Sequence, residues 1–101
     1  MVNVPLAAGT DGTRYLTAYE QRVKPEVEKF RPDAILVSAG FDAHRDDPLG
    51  GLKLTEETYA TVLRHLFTLT PKVGCILEGG YNLDALASSS VRMVQTLLGD
   101  P

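Results

Sequence analysis

The sequence predicts an α/β fold, three β-α units on one parallel sheet, and three observations carry that prediction. Two compact apolar runs, Ala34 to Ala39 and Val73 to Leu77, have the length of strands and are far too short to span a membrane. Each run opens into a polar loop punctuated by glycine. Stretches with apolar residues three and four apart lie before, between and after the runs, as helices with one buried face require. Strands that alternate with helices pair in parallel through right-handed crossovers.

The first unit opens with Val2 to Leu6, whose weak alternation reads as a short third strand, confined by Pro5 to an edge or a strand end. Ala7 to Gly12 reads as a loop. Thr13 is placed to cap a helix running to about Phe30, with Leu16, Tyr19, Val23, Val27 and Phe30 as its stripe. Pro25 lies inside that helix and should kink or divide it. After Arg31-Pro32-Asp33 the run from Ala34 to Ala39 is made of apolar and small residues, the pattern of a strand buried on both faces.

The second helix starts at Thr55, followed by Glu56 and Glu57, acids favourably placed against the helix dipole. Its buried face is Tyr59, Val62, Leu63, Leu66 and Phe67, and Pro71 marks the exit. His65 falls between Leu63 and Phe67 and reads as a structural or solvent-edge histidine. After Val73 to Leu77, Asn82 can cap a last helix with the stripe Leu83, Leu86, Ala87, Val91, Val94 and Leu98, stopped by Gly99 and Pro101.

Composition bounds the function. The 101 residues leave room for one small domain and a modest core, and 44% hydrophobic with 23% charged residues is ordinary for a globular chain. A net charge of −3 offers no basic face, which argues against nucleic acid or an anionic membrane as partner. The single cysteine, Cys75, sits in an apolar run and reads as an inert side chain, so no disulfide framework forms within one chain. Met1 to Pro5 has neither the basic start nor the apolar core of a leader, and no apolar stretch reaches membrane-span length. These features point to a reducing compartment, the cytoplasm.

The chemistry-bearing residues cluster at the two strand ends. After the first buried strand come Asp42, His44, Arg45, Asp46 and Asp47; after the second come Glu78, Gly79, Gly80, Tyr81 and Asn82. In a parallel sheet both sets rise from the carboxyl edge, where open α/β folds bind ligands. An aspartate there serves as metal ligand, general base or turn cap, and a tyrosine as oxyanion donor or as packing. Gly79-Gly80 before a helix could cradle phosphate, but the spacing of a dinucleotide loop is absent. Close passage of the backbone past something bound explains the glycines better.

Two stretches, Ser38-Ala39-Gly40-Phe41-Asp42-Ala43-His44-Arg45-Asp46-Asp47-Pro48-Leu49-Gly50 and Leu77-Glu78-Gly79-Gly80-Tyr81-Asn82-Leu83, resemble the histone deacetylase superfamily. The likeness is strongest to its class II-like and bacterial members, acetylpolyamine amidohydrolases and acetoin-utilisation proteins among them. Asn3 to Thr10 is similar to the family segment that precedes this region. The resemblance implies an arginase/deacetylase-type fold and a zinc-dependent amidohydrolase ancestry. By position, Asp42 resembles the last of three protein zinc ligands and Tyr81 the oxyanion-stabilising tyrosine. Leu49 resembles a wall of the acyl-amine tunnel, and Gly79 and Gly80 its glycine segment. The family's other zinc ligands and its tandem histidines have no counterpart in these residues. Asp42-Ala43-His44 repeats an Asp-x-His spacing, yet the resemblance assigns His44 no metal role.

The resemblance therefore implies that residues 1–101 are the C-terminal segment of a deacetylase-like domain, an incomplete domain whose partner is the N-terminal remainder. With Zn²⁺ bound, the complete protein would hydrolyse acetyl-lysine or an acetylated amine, and the 101 residues alone would be inactive. Two other readings are a non-catalytic folding or assembly module and a stand-alone ligand-binding domain. Three strands make a thin sheet with open edges, so a homo-oligomer is also expected.

Overall fold

In the computed structural model, residues 1–99 are described, and their α/β arrangement is built on two strands, β1 (Ile35–Ala39) and β2 (Val73–Leu77). They pair in parallel, with Ile35 opposite Val73 and Ala39 opposite Leu77. Because side chains alternate across a strand, Val37 and Ala39 share one sheet face with Val73 and Cys75. That face packs on Phe41, on Tyr59, Leu63 and Phe67 of α3 (Glu56–Leu69), and on Leu86 and Met93 of α4 (Leu83–Leu97). Partial burial among these residues pushes the Cys75 thiol pKa up, away from thiolate reactivity.

The other face carries Leu36 and Ile76, which are 78% and 53% exposed. The expectation that β1 is buried on both faces is therefore not met in this chain. Its apolar residues on that side have no covering layer among the described residues, because α3 and α4 pack against the opposite face. Val2 to Leu6 is likewise not a strand. The N-terminal segment instead bonds to the loop before α3, where Gly9 N–H donates to Gly51 O at 2.7 Å and Lys53 N–H to Thr10 O at 2.9 Å. Pro5 removes a ladder donor, and those contacts draw the segment toward the loop and away from the sheet.

The first helical stretch is divided as Pro25 suggested, though by a widened turn. α1 (Gly12–Ala18) runs into a π-turn at Tyr19–Val23, and α2 (Lys24–Phe30) begins with Pro25 in its first turn. A proline lacks the N–H and crowds the carbonyl four residues back, and one wide turn relieves both. The cap is Asp11, which accepts from Arg14 N–H at 2.9 Å, two residues before Thr13. Tyr19 is buried and ties this arm to α3, its hydroxyl 2.5 Å from His65 Nδ1, while His65 Nε2 meets Glu28 at 3.2 Å. His65 is thus a structural histidine, as read from its position.

Helix α3 begins after Thr55, with the Thr55 N–H held by Thr58 Oγ1 at 3.4 Å, and turns the expected face inward, Leu63 and Leu66 buried and Tyr59, Val62 and Phe67 half-buried. Helix α4 does not. Asn82 caps it, accepting from Ala85 N–H at 2.9 Å, but its buried face is Ala85, Ser89, Met93 and Thr96. The stripe expected to be buried leaves Leu83, Val91, Val94 and Leu98 exposed. The Ser88 hydroxyl and the Arg92 guanidinium bond to Glu56 and Glu57 of α3, and with α4 held in that rotation Met93 enters the core. Gly99 ends the helix with φ of 87°, and Pro101 lies outside the described residues. No helix among the described residues is long and apolar enough to cross a membrane.

Candidate functional site

At the carboxyl ends of β1 and β2 the two polar loops meet. Phe41 N–H donates to Gly79 O at 2.8 Å and Glu78 N–H to Ala39 O at 3.0 Å, which extends the pairing beyond the strands. Phe41 is buried against Tyr59, their rings in a T-shaped contact 5.0 Å apart, and this packing fixes the turn that carries Asp42. The half-buried Asp42 carboxylate is cradled by two glycines. A Cβ on Gly40 would lie 2.8 Å from Oδ1, and one on Gly79 2.9 Å from Oδ2. A Cβ on Gly50 would overlap the Asp42 backbone carbonyl. Gly79 therefore serves Asp42, a use the glycine pattern alone did not reveal.

Asp47 joins the loops. Its Oδ1 accepts from Tyr81 N–H at 2.8 Å, across 34 residues of sequence, and Oδ2 accepts from Leu49 and Gly50 N–H at 2.8 and 2.9 Å. Partial desolvation pushes the Asp47 pKa up, but the backbone donors from Tyr81, Leu49 and Gly50 outweigh it and hold the carboxyl below its ordinary value. Leu49 and Tyr81 are 73% and 55% exposed, standing on either side of this clasp. Gly80 adopts φ of 140°, and a Cβ there would press on Phe41 and Leu86.

His44 lies at the base of the loop and is 2% exposed. Its Nδ1 accepts from Asp46 N–H at 3.1 Å, which places the proton on Nε2, 3.0 Å from Glu56 Oε1. Both ring nitrogens are used within the fold, so His44 offers no metal lone pair, and the Asp-x-His spacing is not a ligand pair. Glu56 also accepts from the Ser88 hydroxyl at 2.7 Å. That hydroxyl, the residue's own backbone N–H and His44 hold the Glu56 carboxyl below its ordinary pKa against partial desolvation. One buried imidazole thus fastens the loop to α3 and, through Glu56, to α4.

As a metal site the arrangement is partial. The cradled Asp42 carboxylate suits one position on a zinc ion. Among the described residues, however, no three His, Cys, Asp or Glu side chains converge to hold a metal. Asp42, Gly79, Gly80, Tyr81 and Leu49 are brought to one end of the sheet. Asp47, His44 and Glu56 were visible in the sequence as polar residues, but their fastening roles were not. The Asp47-Pro48-x-Gly50 turn signature was a local signal for the first of them. The bonds to Tyr81 and Ser88 have no local signal.

Residues 1–97 match the histone deacetylase domain family. The chain is 45% identical to histone deacetylase 5 of Arabidopsis thaliana over 98% of its own length and 15% of that protein's. It is 42% identical to polyamine deacetylase HDAC10 of Mus musculus, covering 99% of this chain and 15% of that one. The structure of the histone deacetylase Clr3 superposes with a TM-score of 0.90 at 41% identity, over 94% of this chain and 16% of that one. The chain thus spans a third or less of the length of the relatives it matches. Strand ends, glycine cradle, family match and superposition agree: the chain belongs to the histone deacetylase domain family.

Proposed function

We propose that the chain is the C-terminal part of a zinc-dependent amidohydrolase domain that removes acetyl groups from acetyl-lysine or acetylated amines, in a reducing compartment such as the cytoplasm. The observation that carries this reading is the Asp42 carboxylate cradled between Gly40 and Gly79 at the strand ends, with Gly79 two residues before Tyr81. Asp42 would supply one zinc ligand, and the remaining ligands and the proton-transferring histidines would come from the rest of the domain. Zinc bound there would polarise the amide carbonyl and activate water. The Tyr81 hydroxyl donates a hydrogen bond to the carbonyl oxygen as it gains negative charge, and it is worth most once water is excluded. Leu49 and the Gly79-Gly80 backbone form tunnel walls, the glycines leaving room for a slender acyl-amine chain.

The exposed face at Leu36 and Ile76 favours a second reading, a folding or assembly module without its own activity. Two substitutions in the complete protein separate the readings. Tyr81→Phe should keep zinc content and lower turnover about a hundredfold or more. Asp42→Asn should lower the zinc retained on metal analysis. Turnover unchanged in Tyr81→Phe, with zinc unchanged in Asp42→Asn, would leave the assembly reading standing.

A further inference from the structure

We propose that Asp47 is a positioning residue whose carboxylate clasps the loop after β1 to the loop after β2, and thereby sets Tyr81 and Leu49 relative to Asp42. The geometry stands on this chain's own hydrogen bonds; the catalytic consequence rests on the deacetylase reading above.

Tyr81 needs such a hold. It follows two glycines, Gly80 has φ of 140°, and the ring is more than half exposed. The Gly79 carbonyl is tied to Phe41 N–H and Asn82 already caps α4, so the peptide between them is anchored at Tyr81 N–H by Asp47 Oδ1. The two oxygens divide the work. Oδ1 serves Tyr81, while Oδ2 serves Leu49 and Gly50, and the Gly50 backbone passes directly against the Asp42 carbonyl. The clasp is itself mounted on a fixed base, since Asp47 N–H donates to His44 O at 3.0 Å and His44 is buried and bonded to Glu56.

An asparagine has one acceptor oxygen and one donor nitrogen, so Asp47→Asn can serve one loop only and turns a donor toward the other. The test is a double-mutant cycle on the complete, zinc-loaded protein. It combines Asp47→Asn with Tyr81→Phe, using an acetyl-lysine peptide and an acetylated polyamine as probes. Asp47→Asn should lower kcat about tenfold to a hundredfold, as a misplaced catalytic group does. In the Tyr81→Phe background it should lower kcat less than about twofold, because coupled residues are not additive.

Zinc content should stay at the wild-type level. Amide exchange at Leu49, Gly50 and Tyr81 should quicken while Ile35 to Val37 stays as in wild type. An equal loss of kcat in both backgrounds, or none in either, overturns the positioning role. If Tyr81→Phe alone leaves turnover unchanged, the oxyanion reading fails. The exchange data then decide the clasp by themselves: faster exchange at the three amides supports it, and unchanged exchange sinks it.

Discussion

Gly50 and Gly51 stand side by side for different physical reasons. Gly51 has φ of 74° and open space around it, so a side chain there meets only backbone strain. Gly50 has no room, since a Cβ would overlap the backbone that carries Asp42. In the complete, zinc-binding domain proposed above, Gly51→Ala should cost about 1–2 kcal/mol of stability, the left-handed penalty, and leave zinc content intact. Gly50→Ala should displace Asp42 and release zinc. Denaturant midpoints and metal analysis on the two variants check this. Zinc kept in Gly50→Ala, or lost in Gly51→Ala, would show that the loop does not transmit to Asp42 as described. His44 shows the limit of reading single residues: the Asp-x-His spacing with Asp42 carried no metal role in the sequence, but only its burial and its bonds to Asp46 and Glu56 show it to be a fastener.

At the level of elements, β1 and α4 each have two apolar faces and use one. Val37 and Ala39 of β1 enter the core, while Leu36 lies over Gly74, its Cδ2 3.4 Å from where a Cβ on that glycine would sit, and remains largely exposed. A strand that is apolar on both sides but covered on one predicts a context-dependent cost. Leu36→Ala should change the stability of the isolated chain by no more than about 0.5 kcal/mol, the usual range for exposed positions. In the complete domain, where we expect that face to be covered, it should cost about 2–5 kcal/mol. Urea unfolding of the variant in both settings measures the difference. Equal small costs would mean that the face stays open in the whole protein.

The molecule as a whole is as compact as an ordinary domain of its length. The radius of gyration is 13.1 Å, against about 13 Å for an ordinary domain of this size. What it lacks is cover: a two-stranded sheet leaves two edges unpaired, one face carries Leu36 and Ile76, and α4 turns Leu83, Val91, Val94 and Leu98 outward. Unpaired edges beside apolar surface recruit other chains. The free 101-residue chain is therefore expected to self-associate or to stay loosely ordered, and to become well ordered beside the remainder of the domain proposed above. Sedimentation with amide exchange tests this. A sharp monomer with strongly protected amides from Ile35 to Val37 would make it an autonomous domain.

The sequence by itself determined the alternation of strands and helices, the two polar loops that follow the strands, and the family through its two long motifs. Those features are local: they depend on periodicity, on glycine and proline, and on residue types at short spacing. Tertiary structure decided what depends on approach across the chain. Val2 to Leu6 is not a strand because residues 9–10 bond to residues 51–53. The buried face of α4 is Ala85, Ser89, Met93 and Thr96, with Ser88 and Arg92 bonded to Glu56 and Glu57 of α3, where summed apolarity pointed to another face. Asp47 became a clasp only when folding brought Tyr81 N–H within 2.8 Å of it, a distance that no spacing along the chain encodes.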